Sequence, residues 1–135
     1  MPSVKGTAMN NKPEPFSVRG RIRSALCALQ GISELVKSQH NTWVHAVATV
    51  GVTAAGLVFG VTVIEWCVLV LVITAVWVVE AINTAFEFLC DAVSPEFHPL
   101  VKKSKDIAAG AVLLSATGAA IIGLMVFLPY FLAVL

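Results

Sequence analysis

An almost uninterrupted apolar run, Val68 to Val79, leads directly into the stretch Glu80-Ala81-Ile82-Asn83-Thr84-Ala85-Phe86-Glu87-Phe88-Leu89-Cys90-Asp91. At about 100° per residue, Glu80, Asn83, Glu87 and Asp91 fall within roughly 80° of one another on one helix face. Ala81, Ile82, Phe86, Phe88 and Leu89 take much of the remaining circumference. An ionisable side chain at the centre of a bilayer costs roughly 2.5 kcal/mol or more, so a helix of this kind carries glutamates only for a reason. Two readings are open. The polar face is either a solvated helix end just outside the membrane, or a cation or phosphate site at the membrane edge.

The composition agrees with a membrane protein. Of 135 residues, 58% are apolar and only 13% charged, which describes one small membrane-type domain rather than a soluble globule. A net charge of +1 offers no electrostatic support for a nucleic-acid partner. Cys27, Cys67 and Cys90 lack a C-x-x-C spacing and read as free thiols. Residues 1–15, with three prolines and no periodicity, read as a mobile tail. From residue 16 to 38, Ile22, Leu26, Leu29, Ile32 and Val36 recur every three or four positions among Arg19, Arg23, Gln30, Glu34 and Lys37. Arg21 interrupts this separation. The pattern predicts a basic amphipathic helix lying on an anionic leaflet, or else one packed on a partner protein.

Three spans are predicted beyond it, at about residues 42–60, 64–92 and 105–128; the first is close to the roughly 20 residues that cross a 30 Å core, and the second continues as helix past the membrane edge. Trp43, Trp66 and Tyr130 sit near span ends, where amphipathic aromatics belong, whereas Trp77 lies deeper and reads as packing. The apolar run begins more than forty residues into the chain, so a span is expected rather than a secretory signal. Lys and Arg occur at positions 5 to 37 and 102 to 105, and the first hairpin has none. By the positive-inside rule, the N-terminus and the second loop are cytoplasmic and the C-terminus is outside. Glu80 then lies roughly 21 Å below Trp66 and Glu87 roughly 31 Å, which puts the polar face toward the cytoplasmic interface.

Clustered carboxylates suit a hard cation such as Mg²⁺, and Lys102-Lys103-Ser104-Lys105 at the start of the third span suits phosphate. At this point a resemblance becomes specific. E-A-x-N-T-A-x-E-x-x-x-D at 80–91, P-E-F-H at 95–98 and K-x-x-K-D-x-A-A-G-A-V at 102–112 resemble the prokaryotic diacylglycerol kinase family, which includes undecaprenol kinases. The likeness covers roughly residues 16–127. It implies an all-α membrane protein of the bacterial inner (cytoplasmic) membrane, a homotrimer in which each protomer has three transmembrane helices and an N-terminal surface helix. It also implies transfer of the γ-phosphate of ATP, with Mg²⁺, to a membrane lipid hydroxyl: diacylglycerol in the first instance, undecaprenol as the alternative. The sequence has no Walker G-x-x-x-x-G-K-[ST], no G-x-G-x-x-G and no H-R-D.

Carried over by position, the resemblance makes Glu80 the general base and Glu87 the metal carboxylate, with Asn83 bonded in the same site. It makes Lys105 the cation on the transferred phosphoryl group and Asp106 the residue that orients Lys105 or its loop. Asp91, Glu96 and His98 match the nucleotide-contacting region. The chain departs from the family at Gln39, where a glutamate often supplies a further metal contact. His40 and His45 do not share a helix face well enough for a metal pair, although the Asn41 and His45 spacing looks closer to the undecaprenol-kinase branch. Ala111, Ser115, Ala119 and Gly123, and the G-x-x-x-G of Gly56 and Gly60, read as stripes for close helix approach. Three helices can scarcely shield the carboxylate face, which favours an oligomer. A transporter or channel subunit is the reading from another class, and it would place its carboxylate nearer the midplane without a basic loop beside it.

The topology is directly testable. With Cys27, Cys67 and Cys90 replaced, single cysteines at Thr62 and at Ser104 should react with an impermeant thiol reagent from opposite sides of the membrane. Labelling of both from one side would overturn the three-span reading.

Overall fold

The computed structural model describes residues 17–38 and 40–134. The tail at residues 1–15 and Gln39 fall outside them. The described residues form four helices and no strand: α1 (Val18–Ser38), α2 (His40–Phe59), α3 (Val63–Val93) and α4 (Pro99–Val134). Three of these, α2 to α4, are long and apolar enough to cross a membrane, so the chain is a multi-pass membrane protein. At 20 residues α2 is about 30 Å long, close to the hydrocarbon thickness. The 31 residues of α3 and 36 of α4 make roughly 46 and 54 Å, so both outrun the core. That surplus carries their polar ends toward water.

Two boundaries differ from those expected of the sequence. The third long helix starts at Pro99 rather than near Lys105. Proline suits a first helical position because its missing N–H needs no partner there. His98 closes the end, its carbonyl accepting from the Lys102 N–H at 3.0 Å and its Nδ1 accepting from the Leu100 N–H at 3.3 Å. The helix also continues through Pro129 to Val134 instead of stopping at residue 128. The lost backbone bond is offset by aromatic packing: the Phe59 ring lies 6.1, 5.9 and 4.8 Å from the rings of Phe127, Tyr130 and Phe131.

The core is small and lies at this end. Val61, Leu69 and Phe127 are buried together, with Val52, Ala55, Phe59 and Trp66 packed against them. Elsewhere large apolar side chains such as Leu57, Leu71 and Leu114 face outward, as lipid requires. Along α1 the line Ile22, Leu26, Leu29 and Ile32 is exposed too. Its docking is made at the other end. Thr42, fully buried in α2, donates its hydroxyl to the Leu35 carbonyl at 3.2 Å and so takes up an acceptor in the last turns of α1.

The α2–α3 hairpin is closed by caps. Gly60 has φ 64°, a left-handed conformation that only glycine adopts cheaply, and the Val61 N–H returns to the Gly56 carbonyl at 3.2 Å. Thr62 then opens α3 in a capping box with Glu65. Glu65 Oε2 accepts from the Thr62 N–H, the Thr62 hydroxyl and the Tyr130 hydroxyl, each at 2.7 Å, which locks α4 to the hairpin. Gly56 and Gly60 are therefore not a helix-pairing stripe. One seats the Trp66 ring and the other ends the helix.

A Cβ at Gly56 would meet Trp66 Cη2 and Cζ2 at 2.7 and 2.8 Å. Gly56→Ala should therefore destabilise the fold by about 1–3 kcal/mol, seen as a lower unfolding midpoint in detergent. Gly51→Ala, with nothing within 4 Å of the new Cβ, is the control. Equal midpoints for the two variants would show that the Trp66 ring does not fill this notch.

Candidate functional site

The opposite half of the helix bundle is polar inside. Burying α3 against α2 and α4 brings Glu80, Asn83 and Thr84 inward, at 1, 6 and 3% exposure. Three polar residues buried in five positions of a membrane-grade helix demand partners, yet the chain supplies few. Asn83 Nδ2 donates to Glu87 Oε1 at 3.1 Å, the i,i+4 geometry that the face predicts. Asn83 Oδ1, Thr84 Oγ1 and Glu80 Oε2 accept no bond from the protein. Across from them on α2 stands His45, whose Nε2 lies 3.8 Å from Glu80 Oε2 and is likewise buried without a hydrogen bond. That separation is within ion-pair reach but too long for a hydrogen bond.

Asn41, His45, Glu80, Asn83 and Glu87 line one cavity of about 230 Å³, closed on the α4 side by Ala109, Val112, Leu113 and Ala116. The alanines on α4 leave the room. A second, apolar cavity of about 650 Å³ lies between the same three helices, lined by residues such as Val52, Leu69, Val76, Gly123 and Phe127. His45 and Ala116 border both, so polar chamber and apolar groove adjoin. Trp77, expected from sequence to serve packing, donates its indole N–H to Thr49 Oγ1 at 3.0 Å along this groove, and the Thr49 hydroxyl donates to the His45 carbonyl at 2.7 Å.

A second polar group sits at the ends of α3 and α4. Lys105 Nζ donates to Asp91 Oδ1 at 2.8 Å, which establishes that the carboxylate helix and the lysine-rich segment meet. Lys105 is also close enough to Glu87 to feel its charge. Asp106 turns elsewhere, pairing with Lys102 at 2.6 Å one helical turn back, with both side chains exposed. Glu96 and His98 lie in the α3–α4 turn, where the Glu96 carbonyl accepts from the Ser94 hydroxyl at 3.1 Å. One chain thus brings together Glu80, Asn83 and Glu87, and separately Asp91 with Lys105; Asp106, Glu96 and His98 stand apart.

Two side chains that sequence reasoning left out of the site line the polar chamber, His45 and Asn41, and Thr84 is buried next to Asn83 in the chain. The first two had a signal, two polar residues at i and i+4 in an otherwise apolar span. Thr84 had none, since threonine is common in such helices. Among the described residues no three His, Cys, Asp or Glu side chains gather as a metal cage. The donor set fits Mg²⁺ nonetheless. Magnesium binds through one or two carboxylates plus substrate phosphates and water, and the Glu87 carboxylate with the unpartnered Asn83 Oδ1 offers hard oxygen ligands.

Comparison with known proteins now adds an identity. Residues 26–127 match the family described as prokaryotic diacylglycerol kinase. An undecaprenol kinase of Bacillus subtilis (strain 168) is 36% identical over 121 residues, covering 90% of this chain and 98% of that protein. A diacylglycerol kinase of Synechocystis is 37% identical over 109 residues, 80% of this chain and 62% of its own. One from Helicobacter pylori (strain 26695) is 45% identical over 51 residues, 38% of this chain and 40% of its own. With kinases matching the chain that carries this buried carboxylate face, the conclusion is direct: the chain belongs to the prokaryotic diacylglycerol kinase family and is a membrane lipid kinase.

Proposed function

We propose that this protein transfers the γ-phosphate of Mg-ATP to the terminal hydroxyl of a polyprenol, undecaprenol being the acceptor that its similarities favour. The end-to-end match to an undecaprenol kinase carries the choice, since 98% of that protein aligns against 62% of the Synechocystis diacylglycerol kinase. It reverses the order of the two acceptors expected from sequence. The apolar groove beside the polar chamber supports a long hydrocarbon acceptor whose hydroxyl reaches Glu80.

In this reading the acceptor oxygen attacks the γ-phosphorus while Glu80 takes its proton. The bond from that phosphorus to the β,γ-bridging oxygen breaks, and ADP leaves with the electron pair. Glu87 and Asn83 would hold Mg²⁺, which supplies charge neutralisation on the phosphates. Lys105, held ready by Asp91, neutralises the transferred group. Asp106 acts on the segment through Lys102, and Glu96 and His98 contact the nucleotide from the α3–α4 turn. Gln39 is a further metal contact only if a neutral amide suffices. The exposed apolar line of α1 lies on the cytoplasmic leaflet of the bacterial inner membrane, with the active site on that side and the C-terminus outside. Protomers assemble as homotrimers, although a single chain, against the expectation from sequence, already buries Glu80 and Asn83.

Purified protein given Mg-ATP should phosphorylate undecaprenol with a kcat/KM at least about tenfold above that for diacylglycerol, and chelation of Mg²⁺ should abolish both. A preference for diacylglycerol would return the acceptor to the other branch. Phosphorylation of neither would sink the lipid-kinase reading.

Glu80 yields a prediction with two readouts. A buried carboxylate without a hydrogen-bond donor on Oε2 destabilises the fold it serves. Glu80→Met should abolish phosphotransfer and raise stability by roughly 1–3 kcal/mol, seen as a higher unfolding midpoint. An active variant, or one that melts earlier than its parent, contradicts the assignment.

A further inference from the structure

We propose that His45 holds the acceptor lipid's hydroxyl for Glu80, donating its imidazole N–H to the oxygen whose proton Glu80 accepts. This rests on the role given to Glu80 above and adds a second contact to the same oxygen.

The distance is the starting point. His45 Nε2 and Glu80 Oε2, 3.8 Å apart, do not bond each other, and neither has another partner. A single oxygen atom about 2.8 Å from each can bridge them from one side, about 2 Å off the line that joins the two atoms. Buried polar atoms without partners are uncommon in folded proteins, so a facing pair on one chamber calls for a group that satisfies both. The two atoms differ in kind. An imidazole N–H donates and a carboxylate accepts, and an O–H group, of an alcohol or of water, accepts the first and donates to the second. A phosphate oxygen would satisfy His45 but repel Glu80, and an ammonium would do the reverse.

The placement of His45 supports the same occupant. It stands where the polar chamber meets the apolar groove, so an alcohol held there has its hydrocarbon in the groove and its oxygen in the chamber. Its helix turn is also tied to the helix that bears Glu80. The Thr49 hydroxyl bonds the His45 carbonyl, and Trp77 of α3 bonds that same hydroxyl. The separation of the two groups is thereby set across the helix interface rather than left to one side chain. In the attack, the O–H bond breaks toward Glu80, the new O–P bond forms, and ADP departs with the electrons of the broken P–O bond. His45 keeps its proton throughout.

The test compares His45→Leu with His45→Gln, whose amide nitrogen reaches the place of Nε2. Initial rates are measured against the acceptor lipid at saturating Mg-ATP, and against Mg-ATP at saturating lipid. Leucine should raise the lipid KM roughly tenfold and leave the Mg-ATP KM alone, and glutamine should restore most of the loss. An unchanged lipid KM overturns the proposal. So does a parallel rise of both KM values that glutamine does not relieve, because that is the mark of a merely structural residue. Glu80→Gln, run beside them, separates the two claims: if it keeps normal turnover the base assignment fails, whatever His45 does. Should the leucine variant not fold, the unaltered protein still decides. Its His45 Nε2 resonance, followed in ¹⁵N-histidine-labelled protein and assigned by its loss in the glutamine variant, should shift on adding undecaprenol without ATP. A resonance unmoved by saturating lipid rejects the contact.

Discussion

Glu80 is the constraint around which the membrane half of this protein is arranged. A carboxylate at 1% exposure in an apolar helix is tolerable only where neighbouring helices give it polar company. The company is specific. Asn83 is bonded outward to Glu87, His45 faces from α2, and small residues on α4, Ala109 and Ala116, leave space where larger ones would have closed the chamber. The unpartnered atoms around this space are a stability deficit concentrated in one place. That is the pattern expected where binding, rather than folding, satisfies the groups.

The deficit is offset at the other end of the helix bundle. There, Glu65 accepts three hydrogen bonds, Gly60 takes the left-handed turn and Trp66 lies in the notch at Gly56. Phe59 meets three aromatic rings of α4 nearby, two tilted and one edge-on. Thr62, Glu65 and Tyr130 are bonded to one another there, and the buried apolar cluster is next to them. The molecule therefore has one end that holds the three long helices together and another that is left open to a ligand. Two glutamates, Glu65 and Glu80, sit in the same helix with opposite tasks, and only their neighbours distinguish them.

Much of this is legible from periodicity. An all-helical chain with three spans follows from the apolar runs, and the i, i+3, i+7 spacing of Glu80, Asn83 and Glu87 puts them on one stripe. What periodicity misses is instructive. Lys105 and Asp106 are adjacent and so point about 100° apart, and they bond different partners, Asp91 and Lys102. The resemblance gives Asp106 the orienting of Lys105 or its loop, and its bond to Lys102 puts it against that segment rather than against Lys105 itself. Gly56 and Gly60 satisfy a pairing motif while serving a ring notch and a cap, because the same small residue answers both needs. The early start of α4 is hidden by three charges that read as a loop. A helix running beyond the bilayer can carry them. Local spacing sets His45 against His40 and Asn41, whereas Glu80, which it faces, is thirty-five residues away on another helix, a relation that no such spacing encodes.

Helix length reconciles the two substrates of a lipid kinase. The acceptor is apolar and stays in the bilayer; the phosphoryl donor is polyanionic and stays in water. A helix matched to the hydrocarbon core, such as α2 at about 30 Å, ends where the two phases meet. Because α3 and α4 exceed that length, their polar turns continue the same face out of the membrane, from Glu80 through Glu87 to the Asp91–Lys105 pair. The face thus changes in character along a single axis: a buried carboxylate beside an apolar groove, then a carboxylate bonded to an amide, then an exposed ion pair. A pair so close to water adds little to stability, so its lysine can exchange partners at small cost. In the function proposed above, the buried end of this face takes the lipid and the lysine at its outer end takes the phosphate. Shortening α3 by a turn or two would take away one or the other.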